Sequence, residues 1–415
     1  MRRGLHRSLL HNNQGCCLHG YGSSFGMTIR CDRICLRDGG RDVLRALSLD
    51  IPFGGPLTIV GPAGAGKSAL FRVLAGQLRP YAGRLQVHGR EVALDGGRNS
   101  QVALVDSRST NYPNFSVWDN IAVPLRLARS KLLEEQVITL AHAVGLGDCL
   151  ALRPADLSLV GQRRLALARA LAARPALLLI DDPLACLPDA EAAHLLEDLP
   201  GSCRTAWQQG MAVAVATRSS QVALALGGDT AVMAQGRLQQ QEARAIDVLL
   251  RPVSLNVARV FGDPPINLLR ATLVNHMVHI EQGPSLALMS PLRVEDPALL
   301  AGIRPEDFRL QGGPGDLAFQ ARVERVECSL YGSRIECRAR AGTLTALAPS
   351  LLRPTLGETV VLYADPGAVY LFDGAGALVQ QVERAAERAR RVPEVLPVLD
   401  DMPDTEVGPT IFALR

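Results

Sequence analysis

The chain has 415 residues, of which 47% are hydrophobic, 20% charged and 4% aromatic, with a formal net charge of +3. That length accommodates two or three domains, and the near-balanced charge gives no electrostatic footprint for nucleic acid or another polyanion. No apolar run approaches the ~18–20 residues of a bilayer-spanning helix. Lysine is nearly absent: Lys67 and Lys131 are the two in the chain. Nine scattered cysteines show no CxxC or zinc-type spacing, which reads as reduced thiols rather than a metal or disulfide framework.

Residues 1–26 are polar, carry Arg2, Arg3 and Arg7 without an acid, and show no periodic pattern. They read as a leader or a mis-assigned start, with Met27 as the expected true start. "MTIRCDRICLR" then alternates like a first strand. "LTIV" (57–60), "QVALV" (101–105), "ALLLI" (176–180) and "MAVAVAT" (211–217) are continuous apolar runs of strand length. Runs of that kind predict strands covered on both faces, as in a parallel α/β sheet. Residues 115–172 carry a helical pattern and are expected to form an inserted subdomain. From about 262 the texture changes to β-type segments broken by Gly and Pro, predicting a small β-barrel-like domain. A short charged helix is expected over 380–391, followed by a loose tail with four prolines. The expected division is 27–240, 241–375 and 376–415.

Two segments carry chemistry. "LTIVGPAGAGKSALFRVLAG" sets Gly61, Pro62, Ala63, Gly64, Ala65, Gly66, Lys67, Ser68 and Ala69 after a strand and at a helix start. This is the G-x-x-x-x-G-K-[ST] phosphate loop in its required context. Backbone N–H groups and the helix N-terminus face the phosphates, Lys67 supplies an ammonium, and the Ser68 hydroxyl ligates Mg2+. "ALLLIDDP" (176–183) ends a buried strand in Asp181, which can place a carboxylate beside that Mg2+, and Asp182 stands where a base would polarise water.

Between them lies "DLSLVGQRRLALARAL" (156–171). The phosphate loop, this signature-like segment and the strand-Asp-Asp-Pro, in that order and spacing, resemble the ATP-binding subunits of ABC transporters, sugar and polyol importer branch. "NYPNFSVWDNIAVPL" (111–125), "PPINLL" (264–269), "GIRPEDF" (302–308) and "VYLFD" (369–373) are similar to further landmarks of that branch. The resemblance spans roughly 28–375. It implies a P-loop NTPase sheet with a helical insertion (an ABC nucleotide-binding domain) followed by an OB/TOBE-type β domain, with ATP and Mg2+ as ligands. It further implies a peripheral position at the cytoplasmic face of the inner membrane. The implied partners are two permease subunits, a second ATPase subunit and, indirectly, a solute-binding protein, with each ATP sandwiched between one phosphate loop and the other subunit's signature.

Measured against the resemblance, the family's LSGGQ signature reads Leu157, Ser158, Leu159, Val160, Gly161 here. Ser158 retains the ability to cap its helix and donate to a partner-bound ATP, while Leu159 and Val160 add bulk where glycines allow close approach. The Q-loop glutamine falls on Ser107, the catalytic glutamate on Asp182, the D-loop aspartate on Pro188 and the switch histidine on Arg218. The adenine-stacking aromatic falls near Asp38. The five departures at the signature, Ser107, Asp182, Pro188 and Arg218 touch the groups that handle the attacking water or the γ-phosphate, so a homodimer of this chain is expected to hydrolyse ATP poorly. The reading is an energising subunit paired with an intact paralogue; the alternative is a non-hydrolysing, ATP-binding structural subunit.

Overall fold

The computed structural model describes residues 28–381 except 88, 98, 100, 107–110, 289–291, 293, 295, 330, 331 and 349–353. The 1–26 leader, Ser107 and the tail beyond 381 therefore lie outside the described residues.

The chain opens with β1 (Thr28–Asp38), β2 (Arg41–Pro52), β3 (Pro56–Val60), α1 (Lys67–Leu74), β4 (Ala82–Val87), β5 (Arg90–Val92) and β6 (Val102–Val105). The helical insertion holds α2 (Val117–Leu127), α3 (Leu133–Ala143) and α4 (Leu159–Ala172). Then come β7 (Leu177–Asp181), α5 (Asp189–Gln208), β8 (Ala212–Thr217), α6 (Ser220–Leu226), β9 (Asp229–Ala234), β10 (Arg237–Glu242), α7 (Ala245–Leu250) and α8 (Leu255–Val260).

Three of the four continuous apolar runs become the adjacent strands β3, β8 and β7 of a six-stranded sheet ordered β10-β9-β3-β8-β7-β6, whereas the run at 101–105 becomes β6 at the sheet's edge, covered on one side only and half-buried except at Val105. All its pairs are parallel except β10 with β9. Every residue of β3, β7 and β8 is buried, as covering on both faces requires. The first strand does not join this sheet. β1 lies in a separate antiparallel sheet, β2-β1-β4-β5. Its alternation records the reason: Ile29, Cys31, Ile34 and Leu36 are buried on α1 and β3, while the other face meets solvent.

After α8 the chain is β-rich: β11 (Asn267–Val274), β12 (Met277–Ile280), β13 (Ser285–Ala287), β14 (Ala298–Ile303), β15 (Leu317–Ser329), β16 (Gly332–Ala339), β17 (Gly342–Ala348), β18 (Thr359–Ala364), β19 (Tyr370–Phe372) and β20 (Leu378–Gln381). These form two antiparallel sheets, β13-β12-β11-β14-β19-β20 and β17-β16-β15-β18, around one apolar core. Asn267 stitches the sheets together, donating to the Ile303 and Thr345 carbonyls and accepting from Thr345 N–H. The charged helix expected from 380 starts too early. Gln380 and Gln381 pair with Leu371 and Tyr370 as part of β20, because Leu378 anchors the segment as an edge strand against the Tyr370–Phe372 cluster.

The β domain is tied to the nucleotide half by Arg304, a side chain only 2% exposed. Its guanidinium donates to the Phe261 carbonyl at 2.8 Å and the Leu249 carbonyl at 2.7 Å, and it lies 5.5 Å from the Tyr370 ring centre. Those carbonyls belong to the C-terminal ends of α8 and α7, where backbone acceptors lack helical donors and the helix dipole is negative. Among the described residues no helix is long and apolar enough to cross a membrane.

Candidate nucleotide site

Adjacent strands of the parallel sheet end side by side, and the candidate groups leave from those ends. Gly61 follows β3, Asp181 ends β7 with Asp182 after it, and Arg218 follows β8, the strand between them. The carboxyl ends of parallel strands are where α/β sheets bind ligands.

The phosphate loop spans 61–66. Gly61 N–H donates to the Thr217 carbonyl at 3.2 Å, and Gly236 N–H donates to the Ala65 carbonyl at 3.0 Å. A Cβ on Gly61 would collide with the Met233 carbonyl oxygen, so the loop's close seat on β9 excludes any larger residue. Gly66, with φ of +100°, occupies the N-cap of α1 in a conformation that L side chains resist. Lys67 is 7% exposed, and its ammonium donates to the carbonyls of Gly61 at 2.6 Å and Pro62 at 3.0 Å. Burial pulls its pKa down; the nearby Asp182 and Asp181 oppose that, and Arg218 adds to it. Ser68 and the tip residues Pro62, Ala63 and Gly64 are exposed, and Ala69 is half-buried.

Asp181 is 9% exposed and its Oδ1 is buried without a hydrogen-bond partner. Burial pushes its carboxyl pKa up; the Ser68 side chain and Lys67 oppose this, and Asp182 and Asp106 reinforce it. An unpartnered carboxylate oxygen at the end of β7 is of the donor type a hard cation takes. Among the described residues no three His, Cys, Asp or Glu side chains gather as a metal site.

Asp182 and Arg218 meet. Arg218 Nε donates to Asp182 Oδ2 at 3.1 Å in an ion pair whose side chains are 27% (Asp182) and 57% (Arg218) exposed. At that exposure the pair contributes only about 0–1 kcal/mol, but it occupies the carboxylate that a base would use. The backbone around Asp182 is held more firmly. Asp182 N–H donates to the Ala216 carbonyl at 2.7 Å. Arg163 of α4 donates to the carbonyls of Asp182 at 3.4 Å and Pro183 at 2.6 Å, and also to that of Ala185. Sequence reasoning passed over Arg163; its only signal was a long cation among the half-buried positions of the signature helix.

Ser158 is not part of this cluster. It is exposed and caps α4, accepting from Gly161 N–H at 3.2 Å, and α4 packs on α2, α3, α5 and β6 rather than α1. Leu159 beside it is 42% exposed, and Val160 is buried. Pro188 is the N-cap of α5, with Asp189 its first residue. Asp38 is exposed at the end of β1; the nearby aromatic is Tyr81 before β4, over which Arg37 lies at 5.6 Å.

Residues 44–185 match the ABC transporter family and residues 301–372 the TOBE domain family. The chain is 33% identical over 310 residues to the sulfate/thiosulfate import ATP-binding protein of Chromobacterium violaceum, covering 74% of this chain and 82% of the relative. It is 29% identical over 351 residues to the sn-glycerol-3-phosphate import ATP-binding protein of Cereibacter sphaeroides (82% and 97%). It is also 29% identical over 353 residues to the trehalose/maltose import ATP-binding protein of Thermococcus litoralis (80% and 93%). With a phosphate loop seated at the carboxyl end of a parallel sheet and a TOBE domain behind it, this chain belongs to the ATP-binding ATPase subunits of ABC transporters.

Proposed function

We propose that the chain binds Mg2+·ATP at Gly61–Ala69 and energises an importer for a sugar or polyol-type solute, from the cytoplasmic face of the membrane, together with two permease subunits and a second, paralogous ATPase. The similarity to importers named for glycerol phosphate, α-glucosides and trehalose/maltose supports the solute class. In this reading 27–240 is the ATP-binding domain and 241–375 the linker and regulatory β domain. Ser68 and Asp181 hold Mg2+, which supplies charge neutralisation at the β- and γ-phosphates. Lys67 exchanges its two loop carbonyls for phosphate oxygens, and the loop N–H groups orient the phosphate chain.

The observation that carries the pairing is the Asp182–Arg218 ion pair. A general base must accept a proton from water, and an aspartate committed to a permanent cation is poor at it. Ser158 would face the partner's ATP, with Leu159 in the place of the glycine that permits close approach. A mixed pair therefore has one site with this chain's phosphate loop and the partner's signature, and one with the partner's catalytic set and Ser158. Turnover runs mainly in the second. The same ion pair favours one other reading, a subunit that binds ATP for structural or regulatory purposes and never hydrolyses it.

The test is ATP turnover by the complex assembled with its permeases and second ATPase. Lys67→Ala is expected to abolish solute-stimulated turnover, since the cycle needs both sites filled. Unchanged turnover would leave the chain a scaffold and overturn the proposal.

A further inference from the structure

The end of β7 is supported unevenly. On the β8 side the ladder continues through Asp181–Ala216, and Asp182 N–H donates to the Ala216 carbonyl at 2.7 Å. On the β6 side it runs only to Val105–Ile180, one residue short of Asp181. A cavity of about 350 Å3, its open mouth included, lies there instead, with Leu167, Leu195 and Leu199 as its apolar wall and Asp106, Asp181 and Arg163 as its charged lining. Protein interiors are close-packed, so a strand end beside such a space is not held by packing alone. Arg163 holds it by hydrogen bonding. From α4 its guanidinium donates to the carbonyls of Asp182 at 3.4 Å and Pro183 at 2.6 Å, and to that of Ala185. The loop in its grip is bent at both ends, with Asp182 (φ +47°) and Cys186 (φ +60°) as non-glycine residues in the left-handed region. Such conformations persist only where the surroundings over-determine them. One side chain of the helical insertion thus sets the backbone that follows Asp181, whose Oδ1 is buried without a hydrogen-bond partner.

We propose that Arg163 is a positioning residue for the metal: by clamping 182–185 it holds the Asp181 carboxylate where Mg2+ takes it, and it makes that placement depend on how α4 is seated. The inference rests on the Ser68–Asp181 reading above and deepens it. Arg163 acts through the backbone and not on the metal itself. Its planar fork spans three carbonyls that the point charge of a lysine does not hold together. Groups behind a metal ligand commonly carry about 10–100-fold in metal affinity, because they fix the direction of the ligand. Without the fork the two left-handed residues relax toward ordinary backbone, and the carboxylate direction that they set is lost.

Equilibrium binding of a non-hydrolysable ATP analogue to the full chain, measured with Mg2+ and with EDTA, tests this. In the wild type Mg2+ tightens binding. Arg163→Met, which roughly keeps the volume and removes the donors, is expected to cut that Mg2+-dependent gain about tenfold while leaving the affinity in EDTA within about twofold. Arg163→Lys keeps a cation in the seam, so the fold is spared, and is expected to lose a smaller part of the gain by the same route. Asp181→Asn removes the gain, and adding Arg163→Met to it changes nothing further, because the two act through one group. An equal loss with and without Mg2+ in the Arg163 variants, no loss in either condition, or a further loss on the Asp181→Asn background would overturn the proposal and leave the nucleotide site in place. A wild-type chain that binds the analogue equally with Mg2+ and with EDTA would remove the Ser68–Asp181 metal reading and this proposal with it. One that binds it in neither condition would remove the phosphate-loop reading as well.

Discussion

Replacing Asp182 by Glu alone leaves ATP turnover at this chain's own site unchanged, and so does Arg218→His alone; the double variant raises it about 10²-fold. The expectation follows from the ion pair. A glutamate is one methylene longer, but Arg218, exposed and flexible, follows the carboxylate and keeps it neutralised. Removing the arginine alone frees a carboxylate that is one methylene short of a water positioned for glutamate. Only the double change supplies a free base of the right reach, and one well-placed base is commonly worth ~10²–10⁴ in rate. Groups that act as a unit are non-additive. The measurement is phosphate release by the assembled complex in which the partner's catalytic residues are disabled and its signature is intact. A rise in turnover from Asp182→Glu alone would show that chain length, not the arginine, is the block.

Arg304→Met is expected to lower stability by about 3 kcal/mol and to separate unfolding of the β domain from that of the nucleotide half. The substitution roughly preserves volume, so the cost lies in the two carbonyls of Phe261 and Leu249, which lose charged donors in a buried seam. Hydrogen bonds to charged groups are worth ~1.5–3 kcal/mol each, partly offset because a desolvated guanidinium is no longer buried. α7 and α8 pack through Val248, Val257 and Phe261 against Val60, the residue immediately before Gly61. Loosening their ends should therefore also weaken nucleotide binding. Urea unfolding followed by fluorescence and by nucleotide affinity reads both effects. A change under about 0.5 kcal/mol, within the range of ordinary surface substitutions, would mean that other donors satisfy the carbonyls.

Legibility in the sequence tracked how local each feature is. The runs at 57–60, 176–180 and 211–217 were readable as central strands because every position in them but Ala176 is buried, leaving composition as the record of environment. The phosphate loop was readable because its geometry is set within nine consecutive residues. The pair Asp182–Arg218 was visible as two separate departures and not as a contact, since 36 residues separate them and only the adjacency of β7 and β8 joins them. Arg163 and Arg304 were invisible for another reason. Their partners are backbone carbonyls, which carry no side-chain signature, and in a chain with 42 arginines no single one stands out. The strand content at 380–381 was missed because a charged, helix-prone composition continues past it, while pairing with Tyr370 and Leu371 decides the conformation of its first residues.

The scarcity of lysine has a practical side. Amine-reactive reagents meet two side-chain targets in this chain: Lys131, which is exposed, and Lys67, which is buried and hydrogen-bonded to two loop carbonyls. Their reaction rates separate accordingly, with Lys131 modified first and serving as the internal reference. The lag of Lys67 behind it then becomes a chemical footprint of the phosphate loop, readable by peptide mass in an intact membrane complex without a labelled nucleotide.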